Sequence, residues 1–242
     1  DAIFVINVDG KCILSPWDEN LARERAVVNK IVPFTRYERD NVKAVSGMLK
    51  LLKVPGTSKV EIPSSTSYPE FLNFVDGLSN YDVLCREDGV EQFATNLRAE
   101  KDEYELQNIK KAAQITDKLI DIIEEKIKND EIKTEMDVAL LIERECRLEG
   151  CEGTGFDTLA AGPARSFAIH CFPPYTSGEF PANGLSILDF GVKYNGYTSD
   201  VTLTIAKGTL TEAQEKQLSL VESAYKQALP LYQKDLPVRG PS

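Results

Sequence analysis

The sequence predicts an α/β unit followed by an α+β unit, with the division between residues 1–96 and 97–242. Three observations carry this reading. Short apolar, β-branched runs alternate with segments of helical apolar spacing in the first part of the chain. From Asn96 the pattern changes to long amphipathic helices. Between Ile187 and Ile205 it changes again, to strands with period-two alternation about an Asn-Gly pair.

In the first unit, Ala2–Val8 (AIFVINV) reads as a buried-type strand, and Asp9-Gly10 as a turn leading to KCIL. Arg39–Lys53 has helical apolar spacing at Val42, Val45, Leu49 and Leu52, and Pro55-Gly56 stops it. Lys59–Ile62 and Tyr81–Leu84 read as short strands, with SYPEFLNFVDGL as a helix between them. Strands alternating with helices predict a mostly parallel or mixed sheet. Nothing in this unit gathers polar groups into a chemical site, and its glycines form no phosphate loop.

Composition sets outer bounds. Hydrophobic residues make up 42% and charged residues 27% of the 242, ordinary values for a soluble globular protein. No apolar run approaches the roughly 18 residues of a membrane span, and no signal peptide is visible. The chain begins at Asp1 rather than Met, so its native start is expected to be missing. The net charge of −10 argues against a nucleic-acid binder, which needs a basic face, and fits an acidic surface that keeps a protein in solution. The five cysteines, Cys12, Cys85, Cys146, Cys151 and Cys171, form no Cys-x-x-Cys pattern and read as reduced thiols of a cytoplasmic protein. Cys146 and Cys151 have only one histidine available to join them in a metal site.

In the second unit, Lys101–Asp130 predicts a long helix, with Leu106, Ile109, Ala113, Leu119, Ile120 and Ile123 on one side and a solvated charged face. Thr134 opens a second helix, with Asp137 at capping-box spacing, apolar positions Ala139, Leu140, Ile142 and Cys146, and Gly150 at its end. GFDTLAAG (Gly155–Gly162) reads as a strand running into a turn. A third helix starts at Thr211, with Gln214 in the reciprocal capping position, and runs to about Tyr232.

The segment LDFGVKYNGYTSDVTLT places two aspartates, Asp189 and Asp200, inside apolar β runs, where aspartate is depleted. Asn195-Gly196 suits a type I′ hairpin turn, which needs positive φ at both central residues. A two-residue loop pairs Tyr194 with Tyr197, Gly191 with Asp200 and Asp189 with Thr202. Side chains alternate across a strand. One face then collects Leu188, Phe190, Val192, Val201, Leu203 and Ile205, all apolar. The other collects Ile187, Asp189, Gly191, Asp200, Thr202 and Thr204. A one-residue slip would flip both sets. The aspartates become diagonal neighbours about 7–8 Å apart, a spacing from which they can converge on paired metals about 3.5–4 Å apart. Gly191 leaves room beside them for a ligand. Two other readings stay open: an ordinary solvent-exposed hairpin, and an acid pair sharing a proton.

These residues resemble the Asp-x-Gly…Gly-Tyr-x-Ser-Asp hairpin of the pita-bread metallopeptidases, which include Xaa-Pro dipeptidases, Xaa-Pro aminopeptidases and methionine aminopeptidases. LRAEKDEYELQNIKKAAQITDKLI resembles that family's entry helix, KTEMDVALLIE its second helix, and GFDTLAAGPARSFAIH the run into its substrate-side histidine. The resemblance covers roughly Leu97 to Leu229. The first unit is similar in style to the creatinase-type domain that precedes the catalytic domain in proline-directed members.

The resemblance implies a creatinase-type α/β domain followed by the first half of an α+β pita-bread domain. It implies hydrolysis of the bond before proline in Xaa-Pro dipeptides or peptides by metal-bound hydroxide at a dinuclear site. Asp189 would ligate one metal, Asp200 would bridge both, and His170 would contact substrate. The cofactors would be two divalent ions, with manganese first and cobalt or zinc as alternatives. The partner would be a proline-containing peptide, with no nucleic acid and no membrane. The sequence leaves the oligomeric state open, and a homodimer is the arrangement relatives commonly adopt.

The chain departs from the pattern at Ile169, where the family often has Pro, and at Leu203, where it often has Arg. The resemblance also implies a further histidine and two glutamates as ligands. The single histidine is already assigned, and Glu212, Glu215 and Glu222 read as solvated side chains. The catalytic domain is therefore expected to be incomplete, and the tail KDLPVRGPS does not resemble its continuation. Two rival readings are a non-catalytic pita-bread protein that binds peptides or proteins, and a metal-free creatinase-like hydrolase. Both aspartates count against each.

Overall fold

The computed structural model describes residues 2–168 and 170–231. Ile169, Tyr232 and the tail KDLPVRGPS, which figured in the sequence reading, lie outside the described residues. The chain divides into two units, the first ending at Glu100 and the second starting at Lys101.

The first unit runs β1 (Ala2–Ile6), β2 (Cys12–Pro16), α1 (Glu19–Arg25), β3 (Lys30–Ile31), a 3₁₀ turn (Phe34–Tyr37), α2 (Asn41–Leu51), β4 (Lys59–Ile62), α3 (Tyr68–Gly77), β5 (Asp82–Cys85) and α4 (Val90–Ala99). It holds two small sheets rather than one. β1 and β3 flank β2, antiparallel and parallel respectively. β4 and β5 pair in parallel, joined through α3 as a parallel pair requires. The first strand is shorter and more exposed than its sequence suggests. β1 is an edge strand ending at Ile6, and Phe4 and Ile6 are 52% and 54% exposed. Only its Ile3 and Val5 side packs against the core, where α2 contributes Ala44, Val45, Met48 and Leu49.

The second unit runs α5 (Glu103–Lys128), α6 (Glu135–Leu148), β6 (Gly153–Thr154), β7 (Leu159–Ala161), β8 (Gly184–Phe190), β9 (Val192–Tyr194), β10 (Tyr197–Thr198), β11 (Val201–Lys207), α7 (Glu212–Ala228) and a final 3₁₀ turn (Leu229–Leu231). Reciprocal caps open its three helices. Asp102 and Glu105 cap α5, Thr134 and Asp137 cap α6, and Thr211 and Gln214 cap α7. Each box satisfies backbone donors that a helix start leaves unpaired. α6 ends before Gly150, whose φ of +87° suits the left-handed position after a helix.

One core joins α5, α6 and the strands through Ala112, Ile115, Leu119, Ile123, Val138, Ile142, Cys146, Phe180, Leu188 and Phe190, among others. Three sequence assignments shift here. The buried stripe of α5 is Asn108, Ala112, Ile115, Thr116, Leu119 and Ile123, while Ala113 and Leu106 are exposed. Two polar residues belong to that stripe because they bond to the hairpin. In α6, Leu140 is 56% exposed, and its place toward the core is taken by Val138 and Glu135. α7 stops at Ala228, and no residue of it is buried.

Two antiparallel sheets carry the hairpin. One is ordered β11-β8-β7 and the other β10-β9-β6. The ribbon passes from the first to the second at Gly191 on one limb and at Ser199 and Asp200 on the other.

Candidate functional site

The turn at the ribbon's tip is set by Asn195 (φ +48°) and Gly196 (φ +83°), the left-handed pair that an Asn-Gly turn supplies. Tyr197 pairs with Tyr194, and beyond the sheet change Val201 pairs with Phe190 and Thr202 with Asp189. The register is therefore unbroken across the change. Burial alternates accordingly. From Tyr197 to Ile205 the odd-numbered residues are half-buried and the even-numbered ones exposed. In β8, Ser186, Leu188 and Phe190 are buried, while Leu185, Ile187 and Asp189 are half-buried.

Asp189 thus stands on the open side of β8. The alternation carried back one residue from Val201 puts Asp200 on the same side as Thr202 and Thr204. Thr202 Oγ1 donates to Asp189 Oδ1 at 3.0 Å, which fixes one carboxylate oxygen and leaves the other available. No Lys or Arg among the described residues forms an ion pair with either aspartate. Two acids on one face without a cation repel each other. An oxygen-rich pair of this kind fits a hard or borderline divalent ion, which would relieve that repulsion. Among the described residues, no three His, Cys, Asp or Glu side chains gather as a metal cluster. The two aspartates alone would offer an ion two side-chain donors, not a closed site.

Gly191 does not provide the open space expected of it. It is buried, and a Cβ there would lie 1.9 Å from the backbone oxygen of Ser199 and 3.0 Å from the Phe156 ring. Glycine is needed because the two limbs close tightly where the ribbon changes sheets.

His170 is exposed on the long connection between β7 and β8. The backbone N–H of Ala160 in β7 donates to Pro174 O, so the chain just after His170 runs along β7. Leu159 of β7 pairs with Asp189. Two strand spacings, roughly 10 Å, therefore separate Pro174 from β8. Burial pushes the Cys171 thiol up, and the charges of Glu135 and Asp189 add to that rise while Arg165 opposes it.

Glu135 organises this connection, a role its sequence position does not announce. Its carboxylate is buried in the first turn of α6. Oε1 accepts from the backbone N–H of Gly162 at 2.8 Å, and Oε2 from the backbone N–H and Oγ1 of Thr176 at 2.8 and 2.6 Å. Arg165 pairs with it at 3.2 Å. Burial alone would raise the Glu135 pKa, but these hydrogen bonds and the Arg165 charge bring it below the ordinary value of 4.5. One side chain thus ties Gly162 to Thr176, the two ends of the segment that holds His170. The local signal was an acid directly after the helix cap, which sequence alone does not separate from a solvated first-turn glutamate.

α5 holds the ribbon from the other side. Asn195 Nδ2 donates to Asn108 Oδ1 at 3.0 Å, Tyr197 OH to Glu105 Oε1 at 3.0 Å, and Thr116 Oγ1 lies 2.6 Å from Ser199 Oγ. The Glu105 contact is the main cause that raises the Tyr197 pKa, with burial second.

Comparison with known proteins agrees with this architecture. Residues 107–238 match the model of metallopeptidase family M24. An Xaa-Pro dipeptidase of Pyrococcus furiosus is 30% identical over 205 residues, which cover 82% of this chain and 57% of that protein. In structure, a prolidase from Pyrococcus furiosus superposes with a TM-score of 0.71 and 25% identity, over 90% of this chain and 59% of that one. An Xaa-Pro dipeptidase from Bacillus anthracis superposes with a TM-score of 0.78 over 94% of this chain and 61% of that one; at 22% identity this likeness speaks to fold alone. The chain spans somewhat more than half the length of these relatives. Its fold is a creatinase-type α/β domain followed by the first part of an α+β pita-bread domain. With the family model matching more than half of its residues, the chain belongs to metallopeptidase family M24.

Proposed function

We propose that this chain contributes two carboxylate donors, Asp189 and Asp200, to a metal-dependent exopeptidase site that cleaves the bond before proline in Xaa-Pro dipeptides or peptides. The observation that carries the reading is the pair Asp189 and Asp200, on one open face of an in-register hairpin and without a cationic partner among the described residues. The 30% identity to an Xaa-Pro dipeptidase supports the substrate class.

In this reading Asp189 and Asp200 hold a pair of divalent ions, manganese first and cobalt or zinc as alternatives. Such ions, when bound, supply Lewis-acid polarisation of the scissile carbonyl. Asp189, aimed by Thr202, and Asp200 would be the residues of this chain that hold them. His170, exposed on the segment tied by Glu135, hydrogen-bonds the peptide and orients it. The five unpaired cysteines fit a reducing compartment, which supports a cytoplasmic setting. None of the helices described is long and apolar enough to cross a membrane.

Two carboxylates leave most of an ion's coordination shell to water. The 242-residue chain should therefore bind Mn²⁺ weakly, with a Kd on the order of 0.1–1 mM or above, and should show little Xaa-Pro hydrolysis. Paramagnetic broadening by Mn²⁺ should be strongest at the amides of residues 189 and 200 and should disappear in Asp189→Asn and Asp200→Asn. Robust turnover of an Xaa-Pro dipeptide by this chain would refute the two-donor account. Absence of broadening at these residues would refute the metal reading and favour a peptide-binding module.

A further inference from the structure

Where the ribbon changes sheets, Asp200 lies between two anchors. On one side Val201 pairs with Phe190, which is fully buried in the core. On the other side stands Ser199. Its backbone N–H donates to Val192 O at 3.0 Å, and the Val192 N–H donates to Ser199 Oγ at 3.0 Å. Ser199 Oγ also lies 2.6 Å from Thr116 Oγ1, whose residue is only 4% exposed in the core-facing stripe of α5. Thr116 Oγ1 donates in turn to Ala112 O at 3.1 Å.

Proton counting fixes the direction of this chain of bonds. Each hydroxyl has one hydrogen to give. Thr116 spends its hydrogen on Ala112 O, so Ser199 must be the donor in the 2.6 Å contact. The sequence is Val192 N–H to Ser199 Oγ–H to Thr116 Oγ1–H to Ala112 O. Every hydrogen has an acceptor, and the path is buried at its helix end, where leaving a group unpaired is costly.

We infer that Thr116 and Ser199 are positioning residues for the acid pair: the hydroxyl relay from α5 sets the angle at which the ribbon leaves one sheet for the other, and so the place of Asp200 relative to Asp189. This rests on the metal-binding reading of the two aspartates. The location of the relay is what suits it to positioning. Asp189 sits inside β8, braced on both sides by paired strands. Asp200 sits at the seam, outside both β10 and β11. The residue before it is held to α5 through a side chain rather than through a third strand.

The test compares shape with chemistry at one site. Thr116→Val keeps the side-chain volume and removes the relay, while Thr116→Ser keeps the hydroxyl. Both are titrated with Mn²⁺ in the 242-residue chain, alongside the wild type, Ser199→Ala and Asp200→Asn, with amide broadening at residues 189 and 200 as the readout. Thr116→Val should weaken Mn²⁺ binding about tenfold, in the range seen when groups that orient metal ligands are removed, and Thr116→Ser should restore it. If Asp200→Asn abolishes broadening but Thr116→Val leaves it unchanged, the positioning role is overturned and the metal reading stands. If the wild type shows no broadening, or Asp200→Asn has no effect, the metal reading fails and the inference goes with it. Should Thr116→Val lose the wild-type spectral fingerprint, Ser199→Ala decides by the same criterion. If both lose it, the relay is architectural only and the inference is overturned.

Discussion

Replacing Glu135 with Gln is the most informative single change, because it keeps the shape of a buried side chain while removing its charge and half of its acceptors. Two backbone donors reach different oxygens of this carboxylate, Gly162 N–H on Oε1 and Thr176 N–H on Oε2, each at 2.8 Å. Glutamine offers only one oxygen. Whichever way its amide turns, one of those backbone N–H groups faces an NH₂, and a buried unsatisfied donor costs about 1–3 kcal/mol. The bonds that survive lose their charge assistance, about 0.5–1.5 kcal/mol each. Rotation of the Thr176 hydroxyl and release from burying a charge give part of this back. The net loss should be about 2–4 kcal/mol.

The assay is urea unfolding followed by circular dichroism. Trp17, the single tryptophan, lies in the first unit, so its fluorescence is recorded as a separate signal. His170, the single histidine, gives one imidazole resonance that should move toward its free-peptide position in the variant. The effect also has a pH signature. The unfolded chain takes up a proton on Glu135 near 4.5, whereas the folded chain resists protonation to lower pH. The stability supplied by the ionised group is therefore fully present above 4.5 and is lost as pH falls through the lower folded value. The gap between wild type and Glu135→Gln should be level near neutrality and should narrow in acid. A loss under about 0.5 kcal/mol, or a gap that widens on acidification, would refute the claim that an ionised Glu135 holds the loop.

Three further outcomes follow from the same geometry. Gly191→Ala should destabilise the chain by about 3 kcal/mol or more in thermal unfolding, since the added carbon meets a backbone oxygen that cannot step aside; a neutral result would mean that the limbs do not close as described. Gly196→Ala, at a φ of +83° with open space around it, should cost only about 1 kcal/mol, so the two glycines of one ribbon should differ clearly in the same measurement. In thiol labelling at pH 8, Cys12 and Cys85 should react before Cys146, Cys151 and Cys171, which burial protects and pushes up in pKa, Cys146 to about 11; labelling of native Cys146 at the rate of Cys12 would contradict the packing of α6.

The parts of this structure that could be read from sequence are those fixed by near neighbours. Thr134 with Asp137 and Thr211 with Gln214 announce their caps across three residues. Asn195-Gly196 fixes a register that pairs Phe190 with Val201, Asp189 with Thr202 and Ile187 with Thr204. What escaped depends on partners far along the chain. Thr116 meets Ser199 across 83 residues, Asn108 meets Asn195 across 87, and Glu135 meets Thr176 across 41. An apolar periodicity search discards Thr116, Asn108 and Glu135 as polar interruptions, although they lie in the buried stripes of their helices. Ala113 and Leu140 failed for the complementary reason. Each is apolar at a plausible helical spacing, but the polar residues that bond to the hairpin and loop claim the facing positions, turning the helices by a fraction of a turn.

The seam in the ribbon has a mechanical consequence. One acid is carried by a strand braced on both sides, and the other by the short span that joins the two sheets. The separation of the two charges therefore follows the conformation of that short span rather than the stiffness of a single sheet. In the metal-binding reading proposed above, a shift of that span would change the fit to an ion without any change of ligand, and α5, which holds Ser199 through Thr116, is the element placed to make it.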